Sequence, residues 1–295
     1  MDLISATYVT STLVIVKKPD ISLNCAIYRQ FIFHETAMYL TSRNITQACT
    51  KRSGKWRFIP GVLLAFISSL SVIAAQAATQ VRLEDNQIIY SGSLSVEANA
   101  EVFSLYEAAV KKPTVLSIKS PGGPIDVGLD LGEWTHQHGL DVRVDEFCFS
   151  SCANYIFTAG VKKILGKNAI IGFHGGASSE SFNMAQMNAT LARIPAEQRE
   201  KVREEVEQQL KVYIAANKKR EANFYQAIAV AQKITTLGQQ GVYHIYQKTG
   251  FKGWYYSLDD MEKLGLKNIH VVGGDWNPEQ QENRYKIYRV SLENI

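Results

Sequence analysis

The sequence predicts an α/β fold for residues 78–274. Short apolar runs of strand length alternate along this region with longer segments in which apolar residues recur at helical spacing. Glycine and proline separate many of these segments, and the strongest turn signal is the Ser-Pro-Gly-Gly run at 120–123. The chain has 295 residues, which is enough for one large domain or two small ones.

Apolar or alternating composition marks the strands predicted in the first half of this region, and helical periodicity marks the helices. The strands are predicted at 87–90, 114–118, 141–147, 164–165 and 169–173. The helices are predicted at 96–111, 125–138 and 151–160. Pro113 breaks the first helix, and Gly139 is a typical residue at the end of the second.

The second half of the region is mostly helical. Residues 184–235 are predicted as a helical stretch in which Pro195 opens a helix with an apolar stripe through Val206. We interpret Glu204, Glu205 and the charged cluster at 218–221 as a solvated face, and the small polar segment at 175–182 as a mobile loop. The last predicted segments are a helix at 257–266, a strand at 269–272 and a polar C-terminal tail at 275–295.

The basic character of the chain comes from its first 77 residues. They hold 8 of the 32 Lys and Arg residues and 3 of the 28 Asp and Glu residues, which leaves 24 basic against 25 acidic residues for 78–295. A nucleic-acid-binding domain is expected to carry a basic face. The composition therefore gives no support to a nucleic-acid partner.

Residues 51–77 have the three parts of an export signal. A positive segment comes first, an apolar run from Phe58 to Ala75 follows, and Ala75-Gln76-Ala77 fits a cleavage site. The apolar run is close to the ~20 residues that span a bilayer, so an uncleaved inner-membrane anchor in 58–77 is the alternative to a cleaved signal peptide. Both interpretations place the following domain in the periplasm, because the positive flank stays in the cytoplasm.

The position of this signal is unusual, because export signals begin close to the N-terminus. Here residues 1–50 precede it and show no clear fold pattern. We therefore predict that translation begins downstream, at Met38 or at a non-Met start codon, and that 1–50 is an upstream extension.

Three segments place reactive or permissive groups at strand ends. Gly122 and Gly123 end one strand and allow backbone N–H groups to approach a ligand closely. Ser150 and Ser151 follow another strand and open a helix, where a serine hydroxyl can point outward and the next N–H can face an oxyanion. His174 ends the next apolar strand and can accept the proton of the serine. Each segment is a weak signal alone, but their order and spacing indicate a nucleophilic site.

The order of these segments resembles that of the ClpP/crotonase superfamily, which includes the proteolytic subunit of Clp protease. The Ser-Pro-Gly-Gly run at 120–123, the Ser-Ser-Cys-Ala run at 150–153 and the strand ending in His174 carry the resemblance, and the segment 257–266 resembles a late element of the family. Together they cover about half of 78–295 and are most similar to an exported, periplasmic branch. The resemblance implies a right-handed spiral of ββα units, usually oligomeric, with 184–235 as a helical insertion after the histidine strand.

The resemblance also implies a role for each site residue. In the family, the helix that the nucleophile opens ends in an Ala-Gly pair, and matching that pair to 159–160 places the nucleophile at Ser151, with Ser150 as the alternative. The other implied roles are general base for His174 and oxyanion hole for the N–H groups of Gly123 and Cys152.

One residue of the family's triad is missing. Its aspartate lies just before the late element, where this chain reads Gly-Phe-Lys-Gly-Trp at 250–254. Such an aspartate orients the histidine and stabilises its charged form. Three interpretations remain open: a Ser-His dyad, a substitute carboxylate from Asp259 or Glu180, and a site that no longer cleaves.

Two of the four cysteines, Cys148 and Cys152, fall after the export signal. An oxidising compartment and an even count favour a disulfide. Four residues of extended chain span roughly 13 Å, whereas a bridge needs Cα atoms within about 7 Å, so the bond closes only if the chain folds back through the two serines. We predict that disulfide; two buried free thiols are the alternative. Two cysteines at this spacing do not indicate zinc, and we expect no metal.

Two functions of different classes fit the sequence. The first is an exported serine peptidase or related acyl hydrolase, acting on a peptide or protein through an acyl-enzyme. The second is a catalytically inactive binding or scaffold protein of the cell envelope, which the missing aspartate favours. Acyl-CoA chemistry is a third option, but CoA is not expected outside the cytoplasm. The chain has no Walker A loop, so we expect the enzyme to be ATP-independent. The resemblance implies a homo-oligomer, and we expect no cofactor.

Overall fold

The computed structural model describes residues 79–179 and 185–294. The predicted export signal at 51–77, the upstream extension at 1–50 and Glu180 lie outside the described residues. Within those residues, no helix combines the length and the apolar composition needed to cross a bilayer.

Ten strands and six α-helices follow one another along the described chain. The strands are β1 (Gln80–Glu84), β2 (Gln87–Ser91), β3 (Val115–Lys119), β4 (Asp141–Val144), β5 (Phe147–Phe149), β6 (Lys163–Gly166), β7 (Ile170–Gly172), β8 (Gly253–Tyr256), β9 (Ile269–Val272) and β10 (Ile287–Val290). The α-helices are α1 (Val96–Ala108), α2 (Ile125–Gln137), α3 (Ala185–Leu191), α4 (Ala196–Ala227), α5 (Leu258–Lys263) and α6 (Glu282–Tyr285). A π-helix spans Cys152–Phe157, and short 3₁₀ helices span Gln232–Thr235, Leu237–Gln239, Gly241–Lys248, Pro278–Gln281 and Leu292–Asn294.

The main sheet has six strands in the order β1-β2-β3-β4-β6-β9. Strand β1 pairs with β2 in the antiparallel direction, and the other four pairs of this sheet are parallel. Helices α1 and α2 connect successive parallel strands, as crossovers in α/β proteins do. The structure therefore confirms a mixed α/β fold with a predominantly parallel sheet.

Alternate residues of the central strands build the core, because successive side chains of a strand point to opposite faces. Those facing inward are at most 2% exposed: Ile88, Tyr90, Leu116, Ile118, Val142 and Val144. Burying each such side chain contributes about 1.5–3 kcal/mol to stability. This core supports the strand ends from which the site is built.

The strand predicted at 141–147 is two strands that belong to different sheets. Strand β4 lies in the main sheet, whereas β5 leaves it and pairs in parallel with β7. Strand β5 also runs beside the end of β3, where the N–H of Ser120 donates to the carbonyl of Phe147 at 3.2 Å and the N–H of Phe149 donates to the carbonyl of Ser120 at 2.9 Å. The change of sheet brings Ser150 and Ser151 to the Ser-Pro-Gly-Gly turn.

The C-terminal segment 275–295 contains structure that the prediction of a polar tail did not include. Strand β10 in this segment pairs in parallel with β8, which the sequence did not predict either. Ile287 and Val290 of β10 are 3% and 0% exposed. The buried positions of β10 do not alternate, since Arg289 alone is exposed, so the period of two that marks a half-buried strand is missing and only its partner identifies it.

Helix α4 is largely exposed along its first two thirds and buried at its end. Glu204 and Glu205 are exposed, in agreement with a solvated face. For Glu221 that interpretation is wrong, because Glu221 is 0% exposed. Phe224 and Tyr225 are buried in the same turn of helix.

Candidate functional site

Ser150 and Ser151 occupy a sharp turn between β5 and the π-helix. Ser150 has a φ of 56°, in the left-handed region that L-residues rarely adopt. Ser151 returns to the right-handed helical region, with φ of −57°. The carbonyl of Ser150 accepts the first helical hydrogen bond, from the N–H of Asn154 at 2.8 Å. The geometry is that of a strand-to-helix elbow carrying a serine.

A disulfide between Cys148 and Cys152 closes this elbow, with the two Cα atoms 5.3 Å apart. Both cysteines are fully buried. Cys148 belongs to β5 and Cys152 opens the π-helix, so the bond joins the two sides of the turn. The predicted cysteine pair at bonding distance is confirmed, and the chain folds back through the two serines as that pair requires.

The turn at 120–123 packs directly on the elbow. Gly122 has a φ of 98°, and a Cβ atom at this position would lie 2.7 Å from the carbonyl oxygen of Phe149 and 2.7 Å from the Cβ of Ser150. The hydroxyl of Ser120 accepts the N–H of Gly122 at 3.0 Å and holds the turn. A glycine is therefore required at 122 for its conformation and for the close approach.

The two serines differ in exposure and in contacts. Ser151 is 2% exposed, and its hydroxyl donates to the carbonyl of Gly123 at 2.8 Å. Gly128 of α2 lies against it, since a Cβ there would be 2.6 Å from the Cβ of Ser151. Ser150 is 8% exposed. A nucleophilic Ser151 must therefore turn its hydroxyl away from Gly123 before it attacks.

His174 lies just beyond the carboxyl end of β7, next to the elbow. The N–H of Ser150 donates to the carbonyl of Gly172 at 2.9 Å, which joins the ends of the parallel strands β5 and β7. His174 follows Gly172 by two residues and is exposed. The structure thus brings the serine pair, the glycine pair and His174 to neighbouring strand ends.

The place expected for the family's aspartate also adjoins His174. Phe173 and Trp254 exchange two backbone hydrogen bonds of 2.7 Å, and a Cβ on Gly253 would lie 3.3 Å from the Cβ of His174. Gly253 has no side chain to orient the imidazole. Asp259, the substitute that the structure describes, is exposed and lines a surface cavity of about 230 Å³ together with Trp276. His174 is not among the residues that line this cavity.

Sequence reasoning missed a buried carboxylate behind the site. One oxygen of Glu221 accepts the hydroxyl of Tyr155 at 2.7 Å and the N–H of Ala177 at 3.0 Å. The other accepts the N–H of Ser178 and the side-chain amide of Gln232, both at 2.9 Å. Its position in one stripe with Phe224 and Tyr225 was the available signal, because a charged residue on an apolar helix face needs partners.

This carboxylate changes the environment of two buried tyrosines. Burial is the main cause that raises the pKa of Tyr155 well above its ordinary value, and the negative charge of Glu221 adds to it. Burial and the same charge raise the pKa of Tyr225. Both phenols therefore stay protonated and act as donors: Tyr155 to Glu221, and Tyr225 to the carbonyl of Asn154 at 2.6 Å.

The segment after His174 is held in place over the residues that the structure describes. Residues 175–179 form a loop without helix or strand, as predicted, but Gly175, Gly176, Ala177 and Ser179 are buried in it. The side-chain amide of Asn154 donates to the carbonyl of Gly175 at 2.7 Å, and that of Gln239 donates to the carbonyl of His174 at 3.1 Å. No sequence pattern pointed to either contact.

Neither a protein-family model nor a curated protein matches this chain. A solved structure of a ClpP1 point mutant from Listeria monocytogenes is similar to it. The sequence identity is 14% and the TM-score is 0.36, over 64% of this chain and 92% of that one.

Proposed function

We propose that this protein is an exported, ATP-independent serine hydrolase of the peptidase type, with Ser151 as nucleophile and His174 as general base. The observation that carries the proposal is the meeting of three strand ends, in which Gly122 packs on Ser150 and the N–H of Ser150 binds the carbonyl of Gly172. The ClpP/crotonase resemblance assigns roles to the residues at this meeting point. A spiral of ββα units, with 184–235 inserted after the histidine strand, belongs to the same proposal.

The proposed reaction uses an acyl-enzyme. The oxygen of Ser151 attacks the acyl carbon of a peptide bond while its proton passes to His174. The oxyanion that forms accepts hydrogen bonds from the N–H groups of Gly123 and Cys152, and His174 returns the proton to the leaving amine. Water then attacks the acyl-enzyme and releases the acid and the serine. Oxyanion donors can contribute about 10²–10³-fold in rate, which supports activity by a Ser-His dyad without the aspartate.

A periplasmic location belongs to the same proposal. The predicted export signal or anchor at 51–77 supports it, and so does the disulfide between Cys148 and Cys152, because such bonds persist in oxidising compartments. Homo-oligomerisation and the absence of a cofactor are proposed on the resemblance alone. Light scattering of the purified protein measures the first, and a single-chain mass would contradict it.

A specific observation favours the alternative function, an inactive binding or scaffold protein. Ser151 is 2% exposed, and its hydroxyl is bound to the carbonyl of Gly123. The segment 250–254, where the resemblance expects an aspartate, carries no carboxylate. A site retained only for its fold would have these features.

Labelling with a fluorophosphonate, which reacts only with an activated serine, separates the two functions. We expect the wild-type protein to be labelled at Ser151, as located by peptide mass spectrometry, and Ser151→Ala and His174→Ala to lose the label. Ser150→Ala is the matched control and should keep the label. Loss of the label in this variant would identify Ser150 as the nucleophile. Absence of label on the wild type, folded and with its disulfide intact, would favour the binding protein.

A further inference from the structure

Glu221 of helix α4 contacts the segments that follow both proposed catalytic residues. Tyr155, which donates to it, stands four residues after Ser151 on the π-helix, and Ala177, the other donor to the same oxygen, stands three residues after His174. We propose that Glu221 is a positioning residue, which sets the distance between the serine helix and the histidine segment from outside the site. The inference rests on the proposed function, because the two residues form a working pair only if the site is active.

The contacts leave little freedom at this junction. Gly176 lies so close that a Cβ atom on it would be 2.3 Å from Oε1 of Glu221. The consecutive backbone N–H groups of Ala177 and Ser178 donate to different oxygens of Glu221, so the carboxylate binds this backbone through both of its oxygens. Asn154 adds a second tie between the π-helix and this segment through the carbonyl of Gly175.

Stability alone does not account for a carboxylate at this place. Moving an ionised carboxylate out of water is costly, and an apolar residue of similar size often serves a core at least as well. A carboxylate with four donors, by contrast, fixes the positions of these groups, since a displacement that breaks the bond from Tyr155 or Ala177 leaves a buried donor unpaired. The gain from Glu221 is therefore precise placement of the segments that it joins.

The substitution Glu221→Gln tests this role with almost no change of shape. The new NH₂ group replaces one of the two carboxylate oxygens, and it must therefore face the two donors that this oxygen accepted from. The hydroxyl of Tyr155 can turn to accept it, and the amide of Gln232 can flip, but a backbone N–H cannot change its role. One N–H of Ala177 or Ser178 therefore loses its acceptor, and the histidine segment shifts.

We expect the limiting rate of fluorophosphonate labelling to fall about 10²-fold in Glu221→Gln, the effect of a misplacement near 1 Å. The probe concentration at half the limiting rate should stay unchanged, because Glu221 does not contact the probe. The His174 ring signal in NMR spectra, identified by its loss in His174→Ala, should move. The signals of His136 and His244 serve as internal references. The protein is purified from expression of the full chain.

Arg220→Gln is the matched control on the neighbouring residue. Arg220 holds the same helix to α2 through ion pairs of 2.6 Å to Glu133 and 2.7 Å to Asp130, without contact to the histidine segment in the hydrogen bonds and ion pairs of the described residues. This variant should lose stability but keep the labelling rate and the His174 signal. An equal loss of labelling rate in Arg220→Gln would overturn the inference, because the packing of α4 against α2 would then explain the slow labelling of both variants.

The remaining outcomes separate the inference from the proposed function. A labelled wild type and an equally fast Glu221→Gln protein would overturn the role of Glu221 and leave the hydrolase in place. If the wild type is not labelled, the hydrolase fails, and an unmoved His174 signal in Glu221→Gln would then overturn the positioning role as well.

If Glu221→Gln does not fold, Tyr155→Phe removes only the helix side of the link, and unchanged labelling and NMR signals in that variant would overturn the inference.

Discussion

The hydroxyl of Ser151 donates a hydrogen bond of 2.8 Å to the carbonyl oxygen of Gly123. This bond joins the elbow to the glycine turn. In the proposed reaction, the N–H of Gly123 in the same turn binds the oxyanion. A neutral hydrogen bond of this kind contributes about 0.5–1.5 kcal/mol, so a substrate that occupies the turn can displace it at modest cost.

Gly122→Ala should destabilise the protein and abolish labelling. Its φ of 98° and the 2.7 Å approach of a Cβ to the carbonyl of Phe149 both oppose a side chain. We expect a loss of about 3 kcal/mol in the free energy of unfolding, from the left-handed backbone and from overpacking together. Gly139→Ala is the control, because Gly139 also has a positive φ but no atom within 4 Å of the added Cβ. Urea denaturation of both variants measures the difference, and equal losses would contradict the close packing of turn and elbow.

Ser150→Gly should make the protein slightly more stable and leave the labelling intact. Glycine adopts the φ of 56° without the cost that a side chain carries there, although it adds freedom to the unfolded chain. The net gain should be about 0.5–1 kcal/mol. Ser150→Ala keeps the backbone cost and serves as the control in the same denaturation series. Loss of labelling in both variants would show that Ser150 carries the reactive hydroxyl.

Replacing both Cys148 and Cys152 by alanine should slow fluorophosphonate labelling, with only a small loss in the free energy of unfolding. The loop that the disulfide closes is so short that its effect on the unfolded chain is at most about 2 kcal/mol. The bond also holds the π-helix, which begins at Cys152, against β5. Treatment of the wild type with a reductant should reproduce the loss of labelling and add the mass of two hydrogens. The same reductant should leave the double variant unchanged; full labelling of that variant would show that the elbow keeps its shape without the bond.

Lys163 should make stability rise with pH. It is 7% exposed, and burial lowers its pKa to about 8, whereas a lysine in the unfolded chain titrates near ~10.4. Below pH 8 the lysine is charged in both states and the folded state carries the full cost of burial. Above that pH the unfolded state binds more protons, so the free energy of unfolding increases by about 2 kcal/mol between pH 7 and pH 9.5.

Lys163→Met removes this dependence and isolates it from the other groups that titrate in the range. The difference in the free energy of unfolding between variant and wild type should therefore shrink as the pH rises from 7 to 9.5. A constant difference across this range would show that the ammonium group reaches water in the folded protein.

The α/β fold and most of its early elements could be predicted because their signals are local. Strands β2 and β3 and helices α1 and α2 each follow from periodicity and from Pro or Gly at their ends. The three motif segments could be located for the same reason. Strands β8 and β10 could not, since their buried positions do not alternate, and neither could the break at residues 145–146, where β4 and β5 part to join different sheets.

For the site, the sequence by itself determined the residue types at three strand ends, together with a cysteine pair that can bond only across a turn. The tertiary structure alone decided that Ser151 is buried against Gly128, that Gly253 adjoins His174, and that Glu221 lies beneath the histidine segment. Each of these is a contact between residues at least 23 positions apart. Such contacts depend on how helices and strands pack, and packing follows from the shapes of whole surfaces, which no local pattern of residues records.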